Sequence, residues 1–104
     1  MLDKEKAREI ATRYAEEVRK ELAPKAVILF GSHVNGTAHE HSDIDIAVVV
    51  NDFTGDWLKT SALLSSLTRK VNIAIEPHMM DETSDKSGFL DHIMKTGEVI
   101  YHQR

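Results

Sequence analysis

The stretch LFGSHVNGTAHEHSDIDIAVVV, from Leu29 to Val50, decides the reading of this chain. A short apolar run, Ala26 to Phe30, reads as a strand that breaks at Gly31-Ser32. A polar loop, residues 31 to 42, leads into a second apolar run, Asp43 to Val50, that opens with two carboxylates. Alternate residues on a strand share a face. Asp43 and Asp45 therefore project together, while Ile44, Ile46, Val48 and Val50 point the other way. Two neighbouring carboxylates repel, and a divalent cation is the common way to offset that cost. All-oxygen donors favour Mg²⁺ or Mn²⁺. Gly31 lets a backbone approach a phosphate closely. Ser32 can donate its hydroxyl, and a helical turn starting here would turn free N–H groups toward an anion. The stretch reads as a site for a metal-bound nucleoside triphosphate.

The rest of the composition bounds what surrounds that site. The 104 residues suit one domain, spanning 1–104, with one modest core. A hydrophobic share of 41% and a charged share of 29% are ordinary for a globular protein. The formal net charge of −4 argues against a general nucleic-acid binder, which would carry a basic face. The absence of cysteine excludes a disulfide framework and a thiolate zinc site, and fits a cytoplasmic protein. No apolar run is long enough to span a bilayer, and the N-terminus has no signal-peptide core.

Working outward, Met1 to Leu22 reads as an amphipathic helix. Ala7, Ile10, Ala11, Tyr14, Ala15, Val18 and Leu22 form its apolar stripe, Asp3 its N-cap and Pro24 its stop. Past the second strand, Asn51 to Gly55 reads as a turn. Asp56 then caps a helix reaching about Leu67 or Arg69 that buries Leu58, Leu63, Leu64 and Leu67. Val71 to Glu76 alternates and reads as a third strand, stopped by Pro77. A polar loop, 78 to 83, precedes a last helix beginning at Ser84 or Asp85 and carrying Phe89, Leu90, Ile93 and Met94. Gly97 closes that helix, and Glu98 to Tyr101 adds a short strand. The order is α-β-β-α-β-α-β. The expected architecture is α/β (α+β): a small mixed sheet with helices packed on one face and polar strand ends left open.

Phe30-Gly31-Ser32, ten residues, then Asp43-Ile44-Asp45 resembles the signature of the nucleotidyltransferase superfamily. That superfamily includes DNA polymerase beta and the aminoglycoside nucleotidyltransferases. The short chain resembles its minimal members, the MNT proteins, from roughly Val27 to Tyr101. The resemblance implies the nucleotidyltransferase fold. It also implies transfer of AMP from ATP to a hydroxyl, with two Mg²⁺ ions held by Asp43 and Asp45 and the triphosphate cradled by Gly31 and Ser32. It further implies a third carboxylate on a neighbouring strand. Glu76 is the choice, in Ile75-Glu76-Pro77-His78, as ligand and general base. Asn72, on the same expected face, stands where some relatives carry Asp.

The resemblance also implies a partner: a HEPN-domain protein in a type VII-like toxin–antitoxin pair, adenylylated on a tyrosine. Two alternatives stay open. The chain could be a catalytically weakened antitoxin that acts by binding, which Asn72 motivates. It could instead be an aminoglycoside-type enzyme, with a homo-oligomer supplying the missing wall. The remaining candidates read as structural. His39-Glu40-His41 has no zinc spacing, and His33 and His78 sit in expected loops near the site. Phe53 and Trp57 are expected in the core, and Arg69-Lys70 suits a helix C-terminus.

Overall fold

The computed structural model describes residues 3–39, 42–85 and 87–103. The expected helix start at Met1, and Glu40 and His41 of the loop, lie outside these. Helix α1 spans Lys4–Glu21, and the Asp3 carboxylate caps it by accepting from the Lys6 N–H at 2.8 Å. Its stripe is buried from Ala7 to Val18 as the 3.6-residue period requires. Strand β1 (Ala26–Phe30) follows, then a single helical turn, α2 (Ser32–Asn35), and strand β2 (Ile44–Val50). Helix α3 (Trp57–Leu67) starts on Asp56, whose side chain accepts from the Lys59 N–H, and tightens into a 3-10 turn at Thr68–Lys70. Strand β3 (Ile75–Asp81), a 3-10 turn at Glu82–Ser84, helix α4 (Phe89–Thr96) and strand β4 (Glu98–His102) complete the order.

The strands form one mixed sheet in the order β3-β2-β1-β4. β1 runs antiparallel to β2 and β4, whereas β2 and β3 are parallel. A parallel pair needs a crossover, and α3 supplies it. Alternation on β2 divides the core into two layers. Ile44, Ile46 and Val48 join Val27, Leu29 and the buried faces of α1 and α3. Ala47 and Val49 join Ala26, Ile28 and the α4 residues Leu90 and Ile93 on the other face. The expected α/β class, mixed sheet and element order hold, but the helices do not all pack on one face. The reverse face of β1 and β2 is itself apolar, and exposing it would be costly, so α4 covers it.

Two further boundaries differ from expectation, each for a local reason. The third strand occupies 75–81, not 71–76. The backbone N–H groups of Val71 and Asn72 both donate to the Thr68 carbonyl, and the Asn72 side chain accepts from the Ala74 N–H at 2.8 Å. Those bonds make 68–74 a turn and leave Ile73 85% exposed. Pro77 does not end β3, because β3 is an edge strand, where proline is tolerated. The last helix begins at Phe89. Asp85 acts from outside it, its carboxylate accepting from the N–H groups of Leu90 and Asp91.

Among the predicted core residues, Leu58 is 82% exposed, and Phe89 and Met94 are also exposed. Phe53 and Trp57 leave the core as well, packing edge to face at 5.6 Å on the rim of a cavity. Gly97 is required by space rather than by dihedral angle: a Cβ there would press on Ile28 and on the carbonyls of Ile93 and Leu29.

Candidate active site

The reverse face of the sheet carries the polar cluster. Asp45 on β2 stands opposite Glu76 on β3 in the parallel register, so the two carboxylates project side by side. His78, two residues along β3, shares that face. Its Nε2 lies 3.1 Å from Asp45 Oδ1. Oxygen atoms of Asp45 and Glu76 and a ring nitrogen of His78 all lie within 4.8 Å of one another. Opposite ligands about 2.2 Å from one ion are separated by about 4.4 Å, so this spread suits a single divalent cation. The donor set, two carboxylates and an imidazole, fits such an ion chemically.

Gly31 explains why a glycine turn and an aspartate belong together here. It adopts φ +83°, in the region that side chains avoid, and a Cβ on it would overlap Asp45 Oδ2. The strand that ends at Phe30 therefore turns directly over the second aspartate. Ser32 opens α2 immediately afterwards, half-exposed beside this turn. At four residues α2 contributes little dipole, so the backbone at Gly31 and the Ser32 hydroxyl are the relevant groups. Gly36, in the left-handed conformation, ends the turn.

Of the sequence-derived site residues, the structure brings Gly31, Asp45 and Glu76 together, with Ser32 adjoining. Asp43 lies one residue before β2, exposed, outside the group of three. Asn72 is not on the strand at all, so it is not a vacated aspartate position. His33 is buried at 5% exposure, with Nε2 3.4 Å from the Ser42 carbonyl. Its place is under the loop that precedes Asp43. Lys70 lies 3.9 Å from Glu17 of α1, which accounts for it structurally.

His78 was missed as a site residue because ending the strand at Pro77 put it in a loop. With β3 running through the proline, the spacing Glu76-x-His78 would have placed it beside the glutamate. Its ring is packed edge-on against Phe30 at 5.1 Å, and Phe30 is backed in turn by Phe89 at 6.1 Å. A cavity of about 460 Å³ lies past the far end of β3, lined by Phe53, Trp57, Met80, Asp81 and Phe89 among others. It contains none of the three clustered donors. Phosphoryl chemistry needs charge-stabilising groups more than enclosed volume, so the acidic cluster, not this cavity, is the candidate centre.

Comparison with known proteins agrees with this geometry. A curated relative, the protein adenylyltransferase MntA of Thermococcus cleftensis, is 30% identical over 101 residues, covering 97% of each chain. Among solved structures, a candidate nucleotidyltransferase of Sulfolobus solfataricus superposes with a TM-score of 0.69 at 21% identity, covering 96% of this chain and 84% of the other. A chain from a complex of tri-AMPylated Shewanella oneidensis HEPN toxin with its MNT antitoxin superposes with a TM-score of 0.61 at 18% identity, covering 92% and 73%. A chain from a toxin–antitoxin structure with AMP-PNP gives 0.63 at 24%, covering 89% and 74%. These three likenesses establish the shared fold. The model of the family described as "Polymerase beta, Nucleotidyltransferase" matches residues 12–104, and the chain belongs to that family.

Proposed function

We propose that this chain is a Mg²⁺-dependent protein adenylyltransferase. It moves AMP from ATP to a tyrosine hydroxyl of a HEPN partner, and thereby serves as the antitoxin of a toxin–antitoxin pair. The observation that carries this reading is the register pair Asp45–Glu76 beneath the Gly31 turn. The adenylyltransferase relative and the HEPN toxin–antitoxin neighbours support the choice of acceptor. No described helix is long and apolar enough to cross a membrane.

In this reading the Gly31 backbone and the Ser32 hydroxyl seat the triphosphate. Asp45 and Glu76, joined by Asp43 from the strand entrance, hold the metal. When bound, the metal supplies charge stabilisation for the α-phosphate and the departing pyrophosphate. The acceptor hydroxyl oxygen forms a bond to the α-phosphorus as the bridging α–β P–O bond breaks. The hydroxyl proton passes to Glu76, and pyrophosphate leaves with the bonding electron pair. The exposed position of Glu76 leaves the acceptor side open, which suits a macromolecular hydroxyl.

The binding-only alternative loses its motive, because Asn72 is a turn residue whose side chain holds the Ala74 N–H. Intact-mass spectrometry of a HEPN protein encoded beside this chain's gene, after incubation with the chain, ATP and Mg²⁺, tests the proposal. The expected result is a gain of one or more adenylyl units that Asp45→Asn abolishes. A stable complex with no mass gain would replace the transferase by a binding antitoxin.

A further inference from the structure

His78 is the one member of the cluster that nothing in the proposed reaction uses. We propose that it is a direct metal ligand beside Asp45 and Glu76, and that it makes this site bind Mn²⁺ more tightly than Mg²⁺, while Mg²⁺ still supports transfer. The inference rests on the metal reading of Asp45 and Glu76 and deepens it. Three observations carry it.

First, His78 shares the face and strand of Glu76, and its register partner is Ala47, two residues along from the Asp45–Glu76 pair. Ala47 is small and buried, so its side chain leaves the imidazole room to reach Asp45. Second, its nitrogen already lies in the same small volume as the carboxylate oxygens. Third, the ring is packed on one side. Phe30 lies edge-on to it at 5.1 Å, and Phe89, the first residue of α4, braces Phe30 at 6.1 Å. A ligand held by packing binds with less loss of rotamer entropy than one on an open loop.

The chemistry then discriminates between ions. Mg²⁺ takes oxygen donors and retains water, and gains little from a nitrogen. Mn²⁺ takes the same oxygen donors as Mg²⁺, but as a first-row transition ion it is the softer of the two and gains more from an added imidazole. The alternative role is positional: His78 could only hold Asp45 through the 3.1 Å contact. That role predicts equal consequences for both metals, because the oxygen donors would be misplaced for either.

The test uses the full chain and the bare metals. Mn²⁺ is added to protein carrying ¹⁵N-labelled histidine, and pulsed electron paramagnetic resonance reads nitrogen coupling to the ion. Calorimetric titrations with Mn²⁺ and with Mg²⁺ run in parallel on the wild type and on His78→Ala, with circular dichroism to confirm folding. The expected result is a directly bound imidazole nitrogen in the wild type, absent in His78→Ala. The variant should lose more Mn²⁺ affinity than the roughly 10- to 100-fold that removing a mere orienting partner costs, and far less Mg²⁺ affinity. Mn²⁺ bound without nitrogen coupling, coupling that survives in the variant, equal losses for the two metals, or no Mn²⁺ binding by the wild type would each overturn the inference. Absence of coupling in the wild type overturns the inference without any variant, and His78→Gln replaces His78→Ala for the assignment if the latter misfolds. If Mg²⁺-supported adenylyl transfer persists while nitrogen coupling is absent, only the role of His78 falls. If Asp45→Asn leaves transfer intact, the reading beneath it falls as well.

Discussion

On β2, Ile44, Ile46 and Val48 are sealed under α1 and α3, whereas Asp45, one residue from each of the first two, stands half-exposed on the reverse face. The same strand thus serves two purposes separated only by the period of two. One face is a closed apolar layer in which Tyr14, fully buried, donates its hydroxyl to the Leu64 carbonyl at 2.6 Å. The other is half covered, by Leu90 and Ile93 of α4, and open where Asp45, Glu76 and His78 meet. On the proposed function, stability and chemistry fall to neighbouring residues on opposite faces and are physically separable. A substitution on one face should leave the other function largely intact.

The largest effect expected is on chemistry. Asp45→Asn keeps shape and register but removes one charge, and transfer should fall by about 10³-fold while the melting temperature holds or rises. Removing a carboxylate that faces Glu76 relieves repulsion, which is why no destabilisation is expected. Steady-state adenylyl transfer and thermal melts on one preparation check both halves.

Next comes the apolar face. Ile46→Ala should cost about 2–5 kcal/mol in urea unfolding, with residual transfer at low temperature close to wild type. Gly31→Ala sits between the faces. It forces a side chain into a left-handed backbone and against Asp45, so about 1–3 kcal/mol of strain is expected. A displaced carboxylate should lower transfer by about 10²-fold. Denaturation and single-turnover rates separate the two effects, and loss of stability with unaltered turnover would show that the Gly31–Asp45 contact does not position the site. Tyr14→Phe should be smaller, about 1 kcal/mol, with no effect on turnover.

The smallest expected effect is pH-dependent and far from the chemistry. The Thr83 hydroxyl, with the backbone N–H groups of Phe53, Thr83 and Asp52, holds the Asp81 carboxyl down to about 2. Because the folded state favours the carboxylate, its contribution is complete above the ordinary value of 3.8 and is lost as pH falls toward 2. Asp81→Asn should flatten the acid limb of the stability curve in that window only. An unchanged limb would show that the loop after β2 does not depend on this residue.

The closed face was readable from sequence in nearly every part. The helical stripe from Ala7 to Val18, the Asp3 and Asp56 caps and the alternation of Ile44, Ile46 and Val48 are local patterns, and local patterns survive folding. The open face was readable at Gly31 and Asp45, which a tight local motif marks, and at Glu76, which the family resemblance marks. Its extent along β3 depends on which strand is an edge, and no local pattern states that. Pro77 looked like a terminator because a central strand would exclude it, and with that boundary His78 was lost from the cluster. Likewise Val71 to Ala74 alternates as a strand would, but the Thr68 carbonyl and the Asn72 side chain claim its N–H groups first. Phe89 and Met94 looked like core for α4, but its short face buries only Leu90 and Ile93.

The most direct test of the division between the two faces is adenylyl transfer to the proposed HEPN partner, read by intact mass, alongside thermal unfolding of Asp45→Asn and Ile46→Ala. Asp45→Asn is expected to melt at or above the wild-type temperature and to add no adenylyl unit, whereas Ile46→Ala is expected to melt early yet still modify the partner in the cold. Transfer that survives in Asp45→Asn, or that disappears in folded Ile46→Ala, would contradict that division.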